Sequence, residues 1–158
     1  MIKIGFGYDS HRMKAGRRLI IGGVEIPFEK GLLGHSDADV LIHAVCDAII
    51  GAAGRGDIGN HFPDSDPAFK DISSMILLKR VADMAAEKGY RVSNIDATVI
   101  LEKPKLAPYL SLMSRNIADA LSVFPLEVNV KAKTNEGMGL IGASEGAASF
   151  AVVLLEKP

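Results

Sequence analysis

Residues 34–54 read GHSDADVLIHAVCDAIIGAAG. Val40, Leu41, Ala44, Val45, Ala48 and Ile49 recur at the three- and four-residue spacing of one helix face, and the pattern stops at Gly51 or Gly54. Ser36 and Asp37 stand where an N-cap belongs, so the spacing predicts a helix over about 38–53. Upstream, residues 2–11 alternate loosely and are rich in Ile, Phe and Tyr, which predicts a strand ending in Asp9-Ser10-His11. Leu19 to Phe28 holds two short apolar runs split by Gly22-Gly23 and closed by Pro27, the pattern of a hairpin. Downstream, residues 54–71 (GRGDIGNHFPDSDPAFKD) show no sustained period and read as a long loop, a kind that is usually functional or disordered. There follow an amphipathic helix from Ile72 to Lys88 stopped by Gly89, a strand from Arg91 to Leu101 and a helix from Pro108 to Leu121. A strand from Glu127 to Lys133, a Gly-rich loop and an apolar final strand from Ala147 to Leu155 complete the order. The fold class expected is α+β, an α/β sandwich. It has one mixed four-stranded sheet with helices packed on one face, plus a short N-terminal hairpin, and residues 1–158 form a single domain.

Composition narrows the function classes. Eighteen basic and nineteen acidic residues give a net charge of -1, so no nucleic-acid partner is expected, because counterion release needs a basic face. Apolar residues are 48% and charged residues 23%, as in a globular domain rather than a disordered chain. The most apolar stretch, Val40 to Ala53, is broken by His43 and Asp47 and is shorter than the roughly 20 residues of a bilayer span, so no membrane association is expected. Cys46 is the lone cysteine and residues 1–5 lack the succession of a secretory signal, which points to a reducing cytoplasm. A chain this long buries about two thirds of its unfolded surface without a structural metal. Any metal it holds is therefore there for chemistry.

All four histidines, His11, His35, His43 and His61, fall in the first 61 residues. Asp9 and His11, two apart at a strand end, leave the same face about 6.7 Å apart at Cα. With His43 from the helix they make an Asp-His-His set suited to Zn²⁺ with one position open. The same pattern is met by a hydrogen-bonded core histidine beside an Asp9 that caps a turn. Gly34 to Asp39 puts a His, a hydroxyl and two carboxylates at a helix start, where a phosphate would be favoured and where simple capping by Ser36 or Asp37 also fits. Lys131-Ala132-Lys133-Thr134-Asn135-Glu136 leaves a strand for a Gly-rich turn, with groups suited to phosphate and a hard cation. It lacks the Walker A order, and by spacing alone it is a solvated strand end.

Taken in order, GYDSH, GHSDADV, HAVCDAIIGAAGRGDIGNHFPDSDP, LEKPKL and KAKTNEGMG resemble the 2-C-methyl-D-erythritol 2,4-cyclodiphosphate synthase family of isoprenoid biosynthesis, from Ile4 to Leu155. The resemblance implies a phosphorus-oxygen lyase that cyclises 4-diphosphocytidyl-2-C-methyl-D-erythritol 2-phosphate and releases CMP. It implies that Asp9, His11 and His43 hold one Zn²⁺ per chain and that Glu136 holds Mg²⁺ or Mn²⁺ on the substrate diphosphate. His35 and Thr134 then steady the transferring phosphoryl, with Ser36 beside them. Asp57, Ile58 and Gly59, then Phe62, Pro63, Asp64, Ser65 and Asp66, would bind the methylerythritol part. The loop Leu101, Glu102, Lys103, Pro104, Lys105, Leu106 and Ala107 would read cytosine with its backbone. Ser10, Lys133, Asn135 and Leu140 would complete the substrate contacts. The family also implies a homotrimer with sites between chains. This chain departs from it at Ala143, where many members carry an Arg associated with isoprenoid diphosphates in the trimer cavity. Two other readings keep the same residues: a zinc-dependent hydrolase with Asp39 or Asp47 as base, and a non-catalytic trimeric binder of isoprenoid diphosphates, which Ala143 disfavours.

Overall fold

The computed structural model describes residues 1–157. In chain order the elements are β1 (Ile2–Ala15), β2 (Leu19–Ile21), β3 (Val24–Ile26), β4 (Lys30–Leu32), α1 (Val40–Ala52), α2 (Ile58–His61) and α3 (Ser74–Ala86). After these come β5 (Arg91–Ile100), α4 (Leu110–Leu121), β6 (Val128–Lys133), α5 (Gly139–Gly142) and β7 (Gly146–Glu156). The main sheet has the order β4-β1-β7-β5-β6. β7 runs antiparallel to both β1 and β5, while β5 and β6 are parallel, so the sheet is mixed as expected.

It has five strands rather than four. β1 does not stop at His11 but continues to Ala15, and Met13, Lys14 and Ala15 pair with Leu32, Gly31 and Lys30. The expected hairpin is present as the separate β2–β3 pair, and its two turn glycines take φ of 60° and 69°, the left-handed values of a type I′ turn. Residues 54–71 are not without structure. Asp57 caps α2 by accepting from the Asn60 amide, and Asp66 caps a 3₁₀ turn at Pro67–Phe69 by accepting from the Ala68 amide. Such local caps leave no apolar period to read.

The start of α1 also differs from the expectation. Its N-cap is Asp39, which accepts from the Ile42 amide, because Ala38 takes a φ of 56° and breaks the helix there. Ser36 accepts from the Ala38 amide instead, and Asp37 accepts from the Ser74 amide at the start of α3. Asp39 reaches further: its carboxylate also accepts from the Gly22 and Gly23 amides at 2.9 and 2.7 Å, locking the hairpin to the helix.

The helices pack on one face of the sheet, and the closest contact is made by glycine. Gly5 and Gly7 of β1 lie under α1, where an added Cβ would sit 1.8 Å from the Ala48 carbonyl oxygen and 1.9 Å from that of Ala44. Their β7 partners on the same face, Val153 and Ala151, are fully buried with Ile95 and Ala97 of β5. The opposite face carries Ile4, Phe6 and Tyr8, exposed by 72, 61 and 50%, against Phe150 and Val152 of β7. Among the described residues no helix is long and apolar enough to cross a membrane.

Gly7→Ala is expected to destabilise the chain by about 3 kcal/mol, the upper range of overpacking, because both neighbours are backbone atoms that cannot turn aside. Gly51→Ala, with open space around its Cβ and a place in α1, is expected to be neutral or to stabilise by about 0.5 kcal/mol. Urea midpoints of the two variants check the contrast.

Candidate functional site

Gly5, Gly7, Asp9 and His11 share one face of β1 by its two-residue period, so the face that packs on α1 runs directly into two polar side chains. His43 stands on α1 beside Ala44, the residue over Gly7. Three atoms converge there: His11 Nε2 lies 2.8 Å from Asp9 Oδ2, His43 Nδ1 lies 3.0 Å from the same oxygen, and the two nitrogens are 3.2 Å apart. A tetrahedral metal with bonds of 2.0–2.1 Å sets its ligands about 3.3 Å apart, so the triangle needs to open only slightly to hold one. Asp9, His11 and His43 are the one such group of His, Cys, Asp or Glu among the described residues.

The outer nitrogen of each ring is engaged. His11 Nδ1 donates to the Leu33 carbonyl at 3.0 Å, and His43 Nε2 lies between the hydroxyls of Ser36 and Ser74 at 3.1 and 2.9 Å. Burial acts to raise the pKa of Asp9, but the two imidazoles beside it bring it from 3.8 down to about 2. Burial likewise opposes charge on His11, yet Asp9 and the Leu33 carbonyl hold its pKa above 6.5. The site is thus an anionic oxygen with two imidazoles turned toward it.

A cavity of about 350 Å³ opens from this triangle, lined also by His35, Ser36, Ile58, Gly59, Phe62, Pro63 and Asp64. His35 Nε2 donates to the Asp66 carbonyl at 2.9 Å, which ties the loop before α1 to the 62–66 segment. Phe62 packs edge-on against Phe69 at 5.3 Å. Asp57 is occupied as the α2 cap, and Ser65 is exposed outside the cavity lining.

The remaining expected residues lie elsewhere. Leu101 and Leu106 are buried in the core, and Leu101 donates its amide to the Lys133 carbonyl at 2.9 Å. Glu102 accepts from the Asn135 amide at 3.0 Å, fastening the 101–107 loop to the turn that carries Thr134 and Glu136. Glu136 takes a φ of 51°, a left-handed conformation of the strained kind found at functional sites, and Thr134 Oγ1 donates to its carboxylate at 3.3 Å. None of residues 101–107, Lys133, Thr134 or Glu136 lines the metal cavity. Asn135 and Leu140 line a second cavity with Ser10 and His11. The 101–107 loop, Lys133, Thr134 and Glu136 therefore stand apart from the first cavity, while Asn135 and Leu140 meet Ser10 and His11 at the second.

Two expectations need correcting. The cap at the start of α1 is Asp39, fully buried, rather than Ser36 or Asp37, so the helix-end amide of Ile42 is already taken by a carboxylate. Neither carboxylate suggested as a hydrolytic base is free, since Asp39 accepts from three backbone amides and Asp47 accepts from the Ile58 amide at 3.1 Å. Sequence reasoning named Asp37 and Glu102 but not the partners of their side chains, and it passed over Ser74; the pairs Asp37–Ser74 and Glu102–Asn135 span 37 and 33 residues. No local pattern could have marked them.

Burial and the neighbouring Asp37 push the pKa of Asp39 up to about 6 from 3.8, against the pull of its three amide donors. The folded chain thus keeps a proton that the unfolded chain has released. Stability is expected to be highest below pH 3.8 as far as this group is concerned and to fall as the pH rises to about 6. Comparing urea midpoints of wild type and Asp39→Asn across that range checks it: the variant's curve should lack this component of the slope.

The YgbB family model matches residues 2–156. The chain is 57% identical over 155 residues to the 2-C-methyl-D-erythritol 2,4-cyclodiphosphate synthase of Caldicellulosiruptor bescii, covering 98% of this chain and 99% of that protein. It is 58% identical over 157 residues to the synthase of the same name from Syntrophotalea carbinolica, covering 99% and 96%. Among solved structures, the bifunctional IspDF of Campylobacter jejuni superposes with a TM-score of 0.96 at 44% identity, over 100% of this chain and 43% of that one. The CDP complex of Plasmodium falciparum IspF superposes with a TM-score of 0.87 at 35% identity, over 99% and 97%.

Proposed function

Because this chain belongs to the YgbB family, it is a 2-C-methyl-D-erythritol 2,4-cyclodiphosphate synthase, and we propose that it closes the cyclic diphosphate with two groups of residues supplied by neighbouring chains. The observation that carries the reading is the Asp9-His11-His43 triangle in the lining of the cavity it shares with His35 and the 58–64 segment. Its donor set, two nitrogens and one oxygen with a position left for substrate, suits zinc. In the reaction proposed, an oxygen of the substrate's 2-phosphate attacks the β-phosphorus. The bond from that phosphorus to the oxygen bridging to the α-phosphorus breaks, and CMP leaves with the electron pair. No protein nucleophile is required, which makes this a phosphorus-oxygen lyase of the cyclising kind.

What remains for the protein is positioning and charge compensation. Zinc on Asp9, His11 and His43, and Mg²⁺ or Mn²⁺ on Glu136, would polarise and partly neutralise the diphosphate oxygens when bound. His35 and Thr134 orient the transferring phosphoryl, with Ser10 and Ser36 nearby. Ile58, Gly59, Phe62, Pro63 and Asp64, which line the cavity, enclose the methylerythritol part, with Asp57 and Asp66 holding the turns on either side as caps. The backbone of residues 101–107 receives the cytosine, and Lys133, Asn135 and Leu140 close that side.

A homotrimer with sites between chains is supported by two features. His11 of β1 and the C-terminal residues of β5 and β6 lie at one end of the sheet, since His11 is paired with Ala147, Ile100 with Ala148 and Lys133 with Ile100. β1 and β6 are three places apart in the order, about 14 Å between strand axes, and the Glu136 turn does not line the cavity beside Asp9, His11 and His43. The apolar face of Ile4, Phe6, Tyr8, Phe150 and Val152 is also available to bury against neighbours. The hydrolase reading finds no support, as both of its candidate bases hold backbone amides.

Incubating the protein with the cytidyl substrate, Mg²⁺ and zinc is expected to release CMP, seen by chromatography. Release no greater than from a boiled control would overturn the proposed activity. Glu136→Gln, at an exposed position, is expected to fold and keep zinc while losing at least about 100-fold in kcat. Unchanged kcat would remove Glu136 from the mechanism. An Asp9→Asn chain and a chain with a disrupted 101–107 loop, each inactive, are expected to regain activity on subunit exchange. Mixed oligomers that stay inactive would show that each chain holds a whole site.

A further inference from the structure

His43 has two tautomers, and only the one with its proton on Nε2 leaves the Nδ1 lone pair facing Asp9 and His11. The site itself pulls the wrong way, because Asp9 Oδ2, 3.0 Å from Nδ1, would readily accept a proton carried there. What opposes it lies behind the ring. Ser74, fully buried at the start of α3, places its hydroxyl 2.9 Å from His43 Nε2 and also donates it to Asp37 Oδ1. A carboxylate can only accept, so the single hydroxyl proton of Ser74 goes to Asp37 and an oxygen lone pair is left facing His43. Nε2 must then carry the proton. Asp37 is held in turn by the Ser74 amide at 2.9 Å on its other oxygen and by the Asp39 amide at 3.2 Å. Ser36, whose oxygen accepts from the Ala38 amide, lies 3.1 Å from Nε2 and, as a hydroxyl, adapts to whichever proton Ser74 has fixed there.

The geometry points to Ser74 and Asp37 as positioning residues that fix the His43 tautomer and thereby prepare Nδ1 to take a metal. This rests on the reading of Asp9, His11 and His43 as ligands. The direction of the relay is Asp37 accepting from Ser74, and Ser74 accepting from His43. It also links α3 to the site: Ser74 opens that helix, and neither it nor Asp37 lines the metal cavity. Outer partners of metal-bound histidines commonly set metal affinity by about 10- to 100-fold.

Nitrogen-15 NMR of the metal-free protein, at alkaline pH where imidazoles are neutral, reads which ring nitrogen of His43 bears the proton. The expected result is the Nε2–H tautomer in the wild type and a shift toward Nδ1–H in Ser74→Ala. Zinc affinity of Ser74→Ala, measured by competition with a chromophoric chelator, is expected to fall by about 10- to 100-fold with the fold intact by circular dichroism. Asp37→Asn, whose amide can donate to Ser74 Oγ and release the hydroxyl proton toward His43, is expected to move both readings the same way. A wild-type Nδ1–H tautomer, or a folded Ser74→Ala with unchanged tautomer and zinc affinity, would overturn the inference. Failure of the wild type to bind zinc would strike the metal reading instead, and the tautomer in the metal-free wild type would still decide the relay.

Discussion

The contact between β1 and α1 sets the geometry of everything near the Asp9-His11-His43 triangle. With no side chain at Gly5 or Gly7, the strand lies against the Ala48 and Ala44 carbonyls of the helix. Two further steps along the same strand face, Asp9 and His11 meet His43 from the helix within 3.2 Å. A Cβ at Gly7 would push the helix outward, and a shift of an ångström would spoil a triangle whose edges must stay near 3.3 Å to share one ion. The apolar packing and the ligand geometry are therefore one constraint, carried by glycine and alanine at matched positions.

Helix position along its own axis needs a second constraint, and Asp39 provides it. One carboxylate caps α1 and binds both turn amides of the β2–β3 hairpin, so the start of the helix cannot slide relative to the hairpin. Burial makes its charge costly, as the rise of its pKa to about 6 shows. Asp37 and Ser36, which looked like the caps, are thereby released for other partners. One meets α3 and the other lies against the His43 ring.

How much of this could be read from the residues follows from the range of each interaction. The period of α1 and the alternation of β1 are local, so both elements and the Asp-His-His set were legible, as was the mixed sheet with helices on one face. β4 was not, because Lys30 to Leu32 form a strand only through pairing with an extension of β1, Met13 to Ala15, that carries no strand pattern. The turns within residues 54–71 depend on single Asp caps rather than on a period. Glu102 and Ser74 act through partners more than thirty residues away. The likeness to a known family supplied residue roles that spacing alone left open, but it gave Glu102 only a backbone part in the 101–107 loop, whereas its carboxylate fastens that loop to the Asn135 amide.

The alternation of β1 also runs opposite to the usual rule. In residues 4–8 the bulky side chains, Ile4, Phe6 and Tyr8, face outward while the glycines face the core. β7 follows suit at Phe150, which faces outward beside the buried Ala151, and sets Val152 outside and Val153 inside. Such an arrangement suits a sheet with cores on both faces: one formed by α1 within the chain, the other requiring something to cover aromatic and branched side chains. In the proposed trimer, neighbouring chains would provide that cover. The close glycine contact that assembles the metal triangle inside the chain would then leave the larger residues of the same strand to hold the chains together, so that one strand, read two residues at a time, would serve both the site and its assembly.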